Sequence, residues 1–183
     1  MRNWTIASFN ANSFRARLPI VLEWLHRRQP DVLCLQETKV QDHEFPEEII
    51  REAGYQVVFK GERSYNGVAI ISQSSPESVS FGLGGKDPDE SRLIAAVIDG
   101  VSIVNTYVPQ GRDADSEYFS YKLKWFDRLL ASPAASPEAR ALLLAALGLP
   151  EEVVVAWGEA GATTPFRLEL SDDYDPCFDP SIR

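Results

Sequence analysis

Val32-Leu33-Cys34-Leu35-Gln36-Glu37, residues 32–37, opens as a continuous apolar run of strand length and passes directly into two polar residues. An uninterrupted apolar strand is the mark of a segment covered on both faces, as in the sheet of an α/β protein. Glu37 then stands at the carboxyl end of that strand, where α/β sheets place their ligands. Upstream, Thr5 to Phe9 reads as a short strand and Asn10 to Ser13 as a polar turn. A helix is expected from near Pro19, because proline is tolerated in a first turn. Leu18, Val21, Leu22 and Leu25 recur at helical spacing and give that helix one apolar face, and Pro30 stops it.

Downstream, residues 46–53 suit a short helix, while Tyr55 to Phe59 and Gly67 to Ser72 read as strands. Leu93 to Ile98 and Val101 to Thr106 flank Asp99-Gly100, the signal of a two-residue hairpin turn. A helix over Glu117 to Leu130 carries Lys122 and Lys124. Beyond it the composition changes: residues 131–137 are small and proline-bearing, Ala139 to Leu147 reads as a helix, Glu152 to Trp157 as a buried strand, and residues 171–183 are acidic and rich in aspartate. The expected organisation is one domain over 1–183, with 131–183 set apart in character from 1–130.

The chain of 183 residues is 44% apolar, enough for a substantial core, and has no apolar stretch that suits a signal peptide or membrane span, so a cytoplasmic protein without a membrane role is expected. Cys34 and Cys177 lie far apart without partner cysteines or paired histidines, which argues against a zinc site or a disulfide framework. The net charge of −9 is unevenly placed. Residues 1–130 hold 15 of the 18 cationic side chains, so a local basic groove can exist there despite the acidic whole.

Four blocks carry the chemistry: Ser8-Phe9-Asn10-Ala11-Asn12-Ser13-Phe14-Arg15-Ala16-Arg17, Pro30 through Gln36-Glu37-Thr38-Lys39, Tyr65-Asn66-Gly67-Val68-Ala69-Ile70, and Asn105-Thr106-Tyr107-Val108-Pro109-Gln110-Gly111. In order and spacing they resemble the exonuclease III and abasic-site endonuclease family of the wider endonuclease, exonuclease and phosphatase superfamily. The resemblance covers roughly residues 5–130. It implies a DNase I-like four-layer α/β sandwich, two sheets flanked by helices, with a C-terminal half that is incomplete or rearranged. It also implies Mg²⁺-dependent hydrolysis of phosphodiesters in duplex DNA, at abasic sites and 3′ ends, with Mn²⁺ as an alternative metal.

By that resemblance Glu37 is the metal-binding carboxylate and Asn10 sits beside the metal and the attacked phosphate. Asn12, Arg15 and Arg17 fall where the family grips the DNA backbone, Tyr107 reaches toward the phosphate, and Arg92 and Lys122 lie on the substrate side. Read without the resemblance, Glu37 is equally a strand-end glutamate paired with Lys39, Asn10 an Asx turn, Tyr107 a core tyrosine and the arginines solvated surface.

The resemblance weakens toward the C-terminus. The family's Gly-Asp-x-Asn loop is represented by Gly158-Glu159-Ala160-Gly161, in which Glu159 takes the catalytic position. Near the end, either Ser171-Asp172-Asp173 is a remnant of the family's Ser-Asp-His motif or Tyr174-Asp175-Pro176 matches a Tyr-Asp-Pro stretch that some relatives carry after the Gly-Asp-x-Asn loop, and in either alignment the histidine is absent. A shortened member, a divergent one that binds without cutting and an artificial sequence all fit this pattern. A non-catalytic nucleic-acid-binding or interaction module and a phosphoesterase on another substrate are the competing functions. A sheet missing partner strands would expose its edges, so oligomerisation is also expected to be open to the chain.

Overall fold

A computed structural model describes residues 3–84, 90–132 and the backbone of 152–158. The strands are β1 (Ile6–Asn10), β2 (Val32–Gln36), β3 (Gln56–Lys60), β4 (Val68–Ser72), β5 (Ser78–Phe81), β6 (Leu93–Ile98), β7 (Val101–Tyr107) and β8 (Glu152–Gly158), and the helices are α1 (Phe14–Arg28), α2 (Glu47–Glu52) and α3 (Glu117–Ala131). They form two four-stranded sheets, ordered β1-β2-β4-β3 and β5-β6-β7-β8. β1 and β2 pair in parallel through the α1 crossover, with Asn10 opposite Gln36, and every other pairing is antiparallel.

Side-chain alternation builds the layers. On the first sheet Leu33, Leu35, Ala69 and Ile71 face outward and pack with Phe14, Val21, Trp24 and Leu25 of α1 and Ile50 of α2. Val32, Cys34, Val68 and Ile70 face the second sheet, where Ile94, Ala96, Ile98, Val101 and Ile103 meet them. On the far side of the second sheet Leu93 and Val104 pack with Trp125 and Leu129 of α3. Helices, sheet, sheet and helix therefore stack as four layers. β2 is buried at all five positions, as its uninterrupted apolar run requires.

Two expectations change. The first helix starts at Phe14, five residues before Pro19, and Pro19 lies inside it. The cause is tertiary: the backbone N–H groups of Ser13 and Phe14 donate to the carbonyls of Glu37 and Thr38 at 2.9 Å each, which anchors the helix entrance on the loop after β2. The second change is β5, a short strand without an apolar run, exposed at all four residues, whose pairing with β6 makes it a strand. Asp99 and Gly100 both have positive φ, 47° and 75°, as a type I′ hairpin turn demands. The expected helix over Ala139 to Leu147, Glu159 and the acidic stretch from Ser171 lie outside the described residues.

Candidate active site

The inward faces of the two sheets turn polar at one end. Ser8 and Asn10 on β1, Gln36 on β2, and Asn105 and Tyr107 on β7 continue the alternation of the inter-sheet apolar layer. Gln36 and Asn105 are fully buried. The Gln36 amide donates to Asn105 Oδ1 at 2.7 Å and to Ser8 Oγ at 3.1 Å, and Asn105 Nδ2 donates to the carbonyls of Leu35 and Ala69 at 2.9 and 2.8 Å. Both side chains belong to opposite sheets, so this cluster fixes β7 against β2 and β4 immediately below the next residues, Glu37 and Tyr107.

Glu37 is the centre of the arrangement. Asn10 Nδ2 and the Tyr107 hydroxyl both donate to its Oε1 at 2.9 Å, and the Lys39 ammonium lies 2.7 Å from Oε2. Lys39 also donates to Asn12 Oδ1, while the Asn12 backbone N–H donates to Asn10 Oδ1 at 3.0 Å in an Asx turn. Burial raises the Glu37 carboxyl pKa, but the hydrogen bonds from Asn10, Lys39 and Tyr107 and the Lys39 charge outweigh it and hold the group below the usual carboxylate range. The carboxylate is thus ionised, and its side chain is 16% exposed.

The backbone around this group is unusual. Non-glycine residues rarely adopt positive φ, yet Asn12, Ser13, Glu37, Lys39 and Asn66 do so here, at 40°, 89°, 50°, 52° and 47°. Thr38 N and Lys39 N donate to the carbonyls of Gly67 and Asn66, which ties the loop to the β3–β4 connection. At Gly67, φ is +90° and an added Cβ would lie 2.1 Å from Thr38 Oγ1, so only glycine fits.

Arg15, on the first turn of α1, faces a polar cleft of about 410 Å³ with Lys39, Gln41, Glu44, Arg63 and Ser64. Its guanidinium pairs with Glu44 at 3.6 Å. Arg17, on the same turn, is half-buried. Arg92 lies over the Tyr107 ring and pairs with Glu90, which also accepts from Tyr121 on α3. Burial, followed by the negative charge of Glu90, pushes the Tyr121 phenol up. Lys122, also on α3, runs its aliphatic stem against Gly111 rather than meeting Glu37. His26 and His43 are exposed, on the last turn of α1 and in the 3-10 turn before Phe45. Sequence reasoning therefore reached Asn10, Asn12, Glu37 and Tyr107, which the fold gathers. It passed over the Gln36–Asn105 bridge and Arg63, although two amides ending otherwise apolar strands were a readable sign of the first.

Among the described residues Glu37 is the one carboxylate of this centre, and no group of three or more His, Cys, Asp or Glu is suited to holding a metal ion. The Glu37 carboxylate is an oxygen ligand of the kind a hard divalent cation takes, but Lys39 lies 2.7 Å from Oε2, so a cation bound at that oxygen would displace the ammonium. Residues 7–157 match the sequence model of the endonuclease/exonuclease/phosphatase family. The chain belongs to that family.

Its membership is supported by relatives and by shape. Exodeoxyribonuclease III of Haemophilus influenzae is 34% identical over 125 residues, 65% of this chain and 47% of the relative. An exodeoxyribonuclease of Bacillus subtilis is 32% identical over 132 residues, 69% of this chain and 50% of its own length. Among solved structures, an AP endonuclease from Archaeoglobus fulgidus superposes with a TM-score of 0.68 at 53% identity, covering 70% of this chain and 50% of that one. The 3′ phosphatase NExo from Neisseria, bound to a product DNA hairpin, superposes at 0.67 with 40% identity, covering 70% and 51%. The chain spans about half the length of these family members, and the four-layer arrangement is their DNase I-like fold. Among the described residues no helix is long and apolar enough to cross a membrane.

Proposed function

We propose that this chain carries the metal-carboxylate portion of a phosphodiesterase centre for duplex DNA, directed at abasic sites and 3′ ends, in a protein of the cytoplasm. The observation that carries the reading is Glu37, ionised and held by Asn10, Tyr107 and Lys39 at the meeting point of both sheets. A bound Mg²⁺, or Mn²⁺, would supply Lewis-acid stabilisation of charge on the phosphate oxygens and offset the anionic substrate. Glu37 would hold the ion, with Asn10 fixing the carboxylate and standing beside the attacked phosphate. Tyr107 places a hydroxyl on the same oxygen of Glu37, where it can pass to a phosphate oxygen. Asn12, Arg15 and Lys122 would meet backbone phosphates, and the cations of the Arg15–Lys39–Arg63 cleft give the strand a local positive path beside the centre. Glu159 would orient the attacking water.

A second reading, binding without turnover, is favoured by the two histidines: both are exposed and neither is among the groups that act on Glu37, which leaves the acid or base that water attack needs without a histidine. Incision of a labelled duplex with one abasic site separates the two. Cutting that needs Mg²⁺, stops with chelator and disappears in Glu37→Ala supports the enzymatic reading. Binding of the same duplex without any cutting by the folded chain replaces it with the second.

A further inference from the structure

Arg92 immediately precedes β6, and its side chain is only 13% exposed. The β6–β7 ladder ends at the pair Leu93 and Thr106, and the Tyr107 N–H donates to the Arg92 carbonyl at 2.8 Å, so strand pairing brings Arg92 and Tyr107 side by side. The Arg92 guanidinium carbon lies 4.9 Å from the centroid of the Tyr107 ring, and its Nη1 donates to the Tyr107 carbonyl at 3.3 Å. Its Nε is paired with Glu90. The hydroxyl at the far end of the same ring donates to Glu37.

We propose that Arg92 is a positioning residue that holds the Tyr107 ring so that its hydroxyl addresses Glu37, with Glu90 as the internal counter-ion that keeps the guanidinium off a substrate phosphate. A guanidinium suits this task because it is planar, stacks on an aromatic face and donates in fixed directions at once, whereas an ammonium is a compact point charge. A phosphate would meet a guanidinium whose Nε is already paired with Glu90 and whose Nη1 already donates to the Tyr107 carbonyl. The value of this device to the centre rests on the proposed metal role of Glu37, but the positioning itself stands on contacts within the chain.

The test uses the full chain without metal. The aromatic NMR signals of Tyr107, assigned with Tyr107→Phe, should move in Arg92→Lys and also in Glu90→Gln, a change at a partly exposed position that remains informative if the first variant fails to fold. Binding of an abasic duplex in chelator, followed across salt, should keep its slope in the double variant Glu90→Gln/Arg92→Gln, which removes the pair without altering the local charge. Unmoved Tyr107 signals overturn the proposal, and so does a slope that falls by about 0.9, the value of one lost phosphate contact. Mn²⁺ affinity reports the service to Glu37: Arg92→Lys should weaken it about tenfold, as loss of outer-shell partners does, and add nothing in the Tyr107→Phe background. A wild-type chain that binds neither Mn²⁺ nor duplex would sink the proposed function while the ring signals still decide the role of Arg92.

Discussion

Gln36 of the first sheet donates to Asn105 of the second across 2.7 Å, and both side chains are wholly buried. The contact joins residues 69 apart in the chain and lies one residue from Glu37 and two from Tyr107. Asn105→Ala leaves one N–H of the Gln36 amide and the extra acceptor capacity of Leu35 and Ala69 without partners in a dry environment. A loss of about 3 kcal/mol in unfolding free energy is expected, measured by urea denaturation, because buried polar groups left unmatched cost more than the bond itself contributes. A variant as stable as wild type would show that the bridge is dispensable.

Gly67→Ala tests the support of the Glu37 loop. The substitution combines positive φ with a collision at Thr38 Oγ1 and should destabilise by about 2–4 kcal/mol. Gly54→Ala is the control, since φ there is also positive at +89° but nothing lies within 4 Å of the added Cβ, and about 1 kcal/mol is expected. Equal losses at the two sites would assign the whole effect to backbone conformation.

The Glu37 carboxyl should titrate below its ordinary value of 4.5 in the metal-free protein, read from its side-chain carbon by NMR. A lowered pKa contributes stability that is present above the unfolded value and is lost as pH falls through the folded one. Tyr107→Phe and Asn10→Ala each remove a donor to the carboxylate and should move the titration upward, toward neutral pH. A Glu37 that titrates above 4.5 in the wild type would mean that burial dominates the hydrogen bonds.

Cys34 is fully buried between the sheets, and burial pushes its thiol far up. In a Cys177→Ser background, the native protein should resist thiol reagents that modify the urea-unfolded chain. The folded state retains the proton where the unfolded state loses it, so stability falls as pH rises above about 8.5, by about 1.4 kcal/mol per pH unit from this group. Cys34→Ala should remove that part of the slope. Rapid labelling of the native thiol would contradict its placement.

Arg15→Ala and Arg63→Ala should each reduce the salt slope of duplex binding by about 0.9, measured by fluorescence anisotropy in chelator, if their cleft carries backbone phosphates. An unchanged slope in both would remove the cleft from the binding surface.

The sheets were legible because their signals are local. The apolar run of β2, the Asp99-Gly100 turn and the helical spacing of α1 each declare an element within a few residues. The entrance of α1 was not, since the donors of Ser13 and Phe14 are satisfied by Glu37 and Thr38, more than twenty residues away, and no periodicity records that. β5 escaped because its alternation, Ser78-Val79-Ser80-Phe81, is only four residues long and exposed, and its ladder to β6 defines it. At the centre, Asn10, Glu37 and Tyr107 were reachable through motifs, while the grip of Gln36 on Asn105 depends on sheet stacking. The contacts of Arg92 with Glu90 and Tyr107 come from strand pairing and are not marked by its position in the sequence.

The Tyr107–Glu37 contact closes a separation of 70 residues. Long-range closures come late and slowly in folding, after the helices and hairpins whose contacts are local. Asn10 and Lys39 reach the carboxylate from its own sheet and loop, whereas the two sheets must dock before the Tyr107 hydroxyl joins them, so the complete set of donors exists only in the folded chain. Anything that binds Glu37 in its finished setting acts on the whole folding equilibrium, so a ligand for the centre doubles as a probe of how completely the chain has folded.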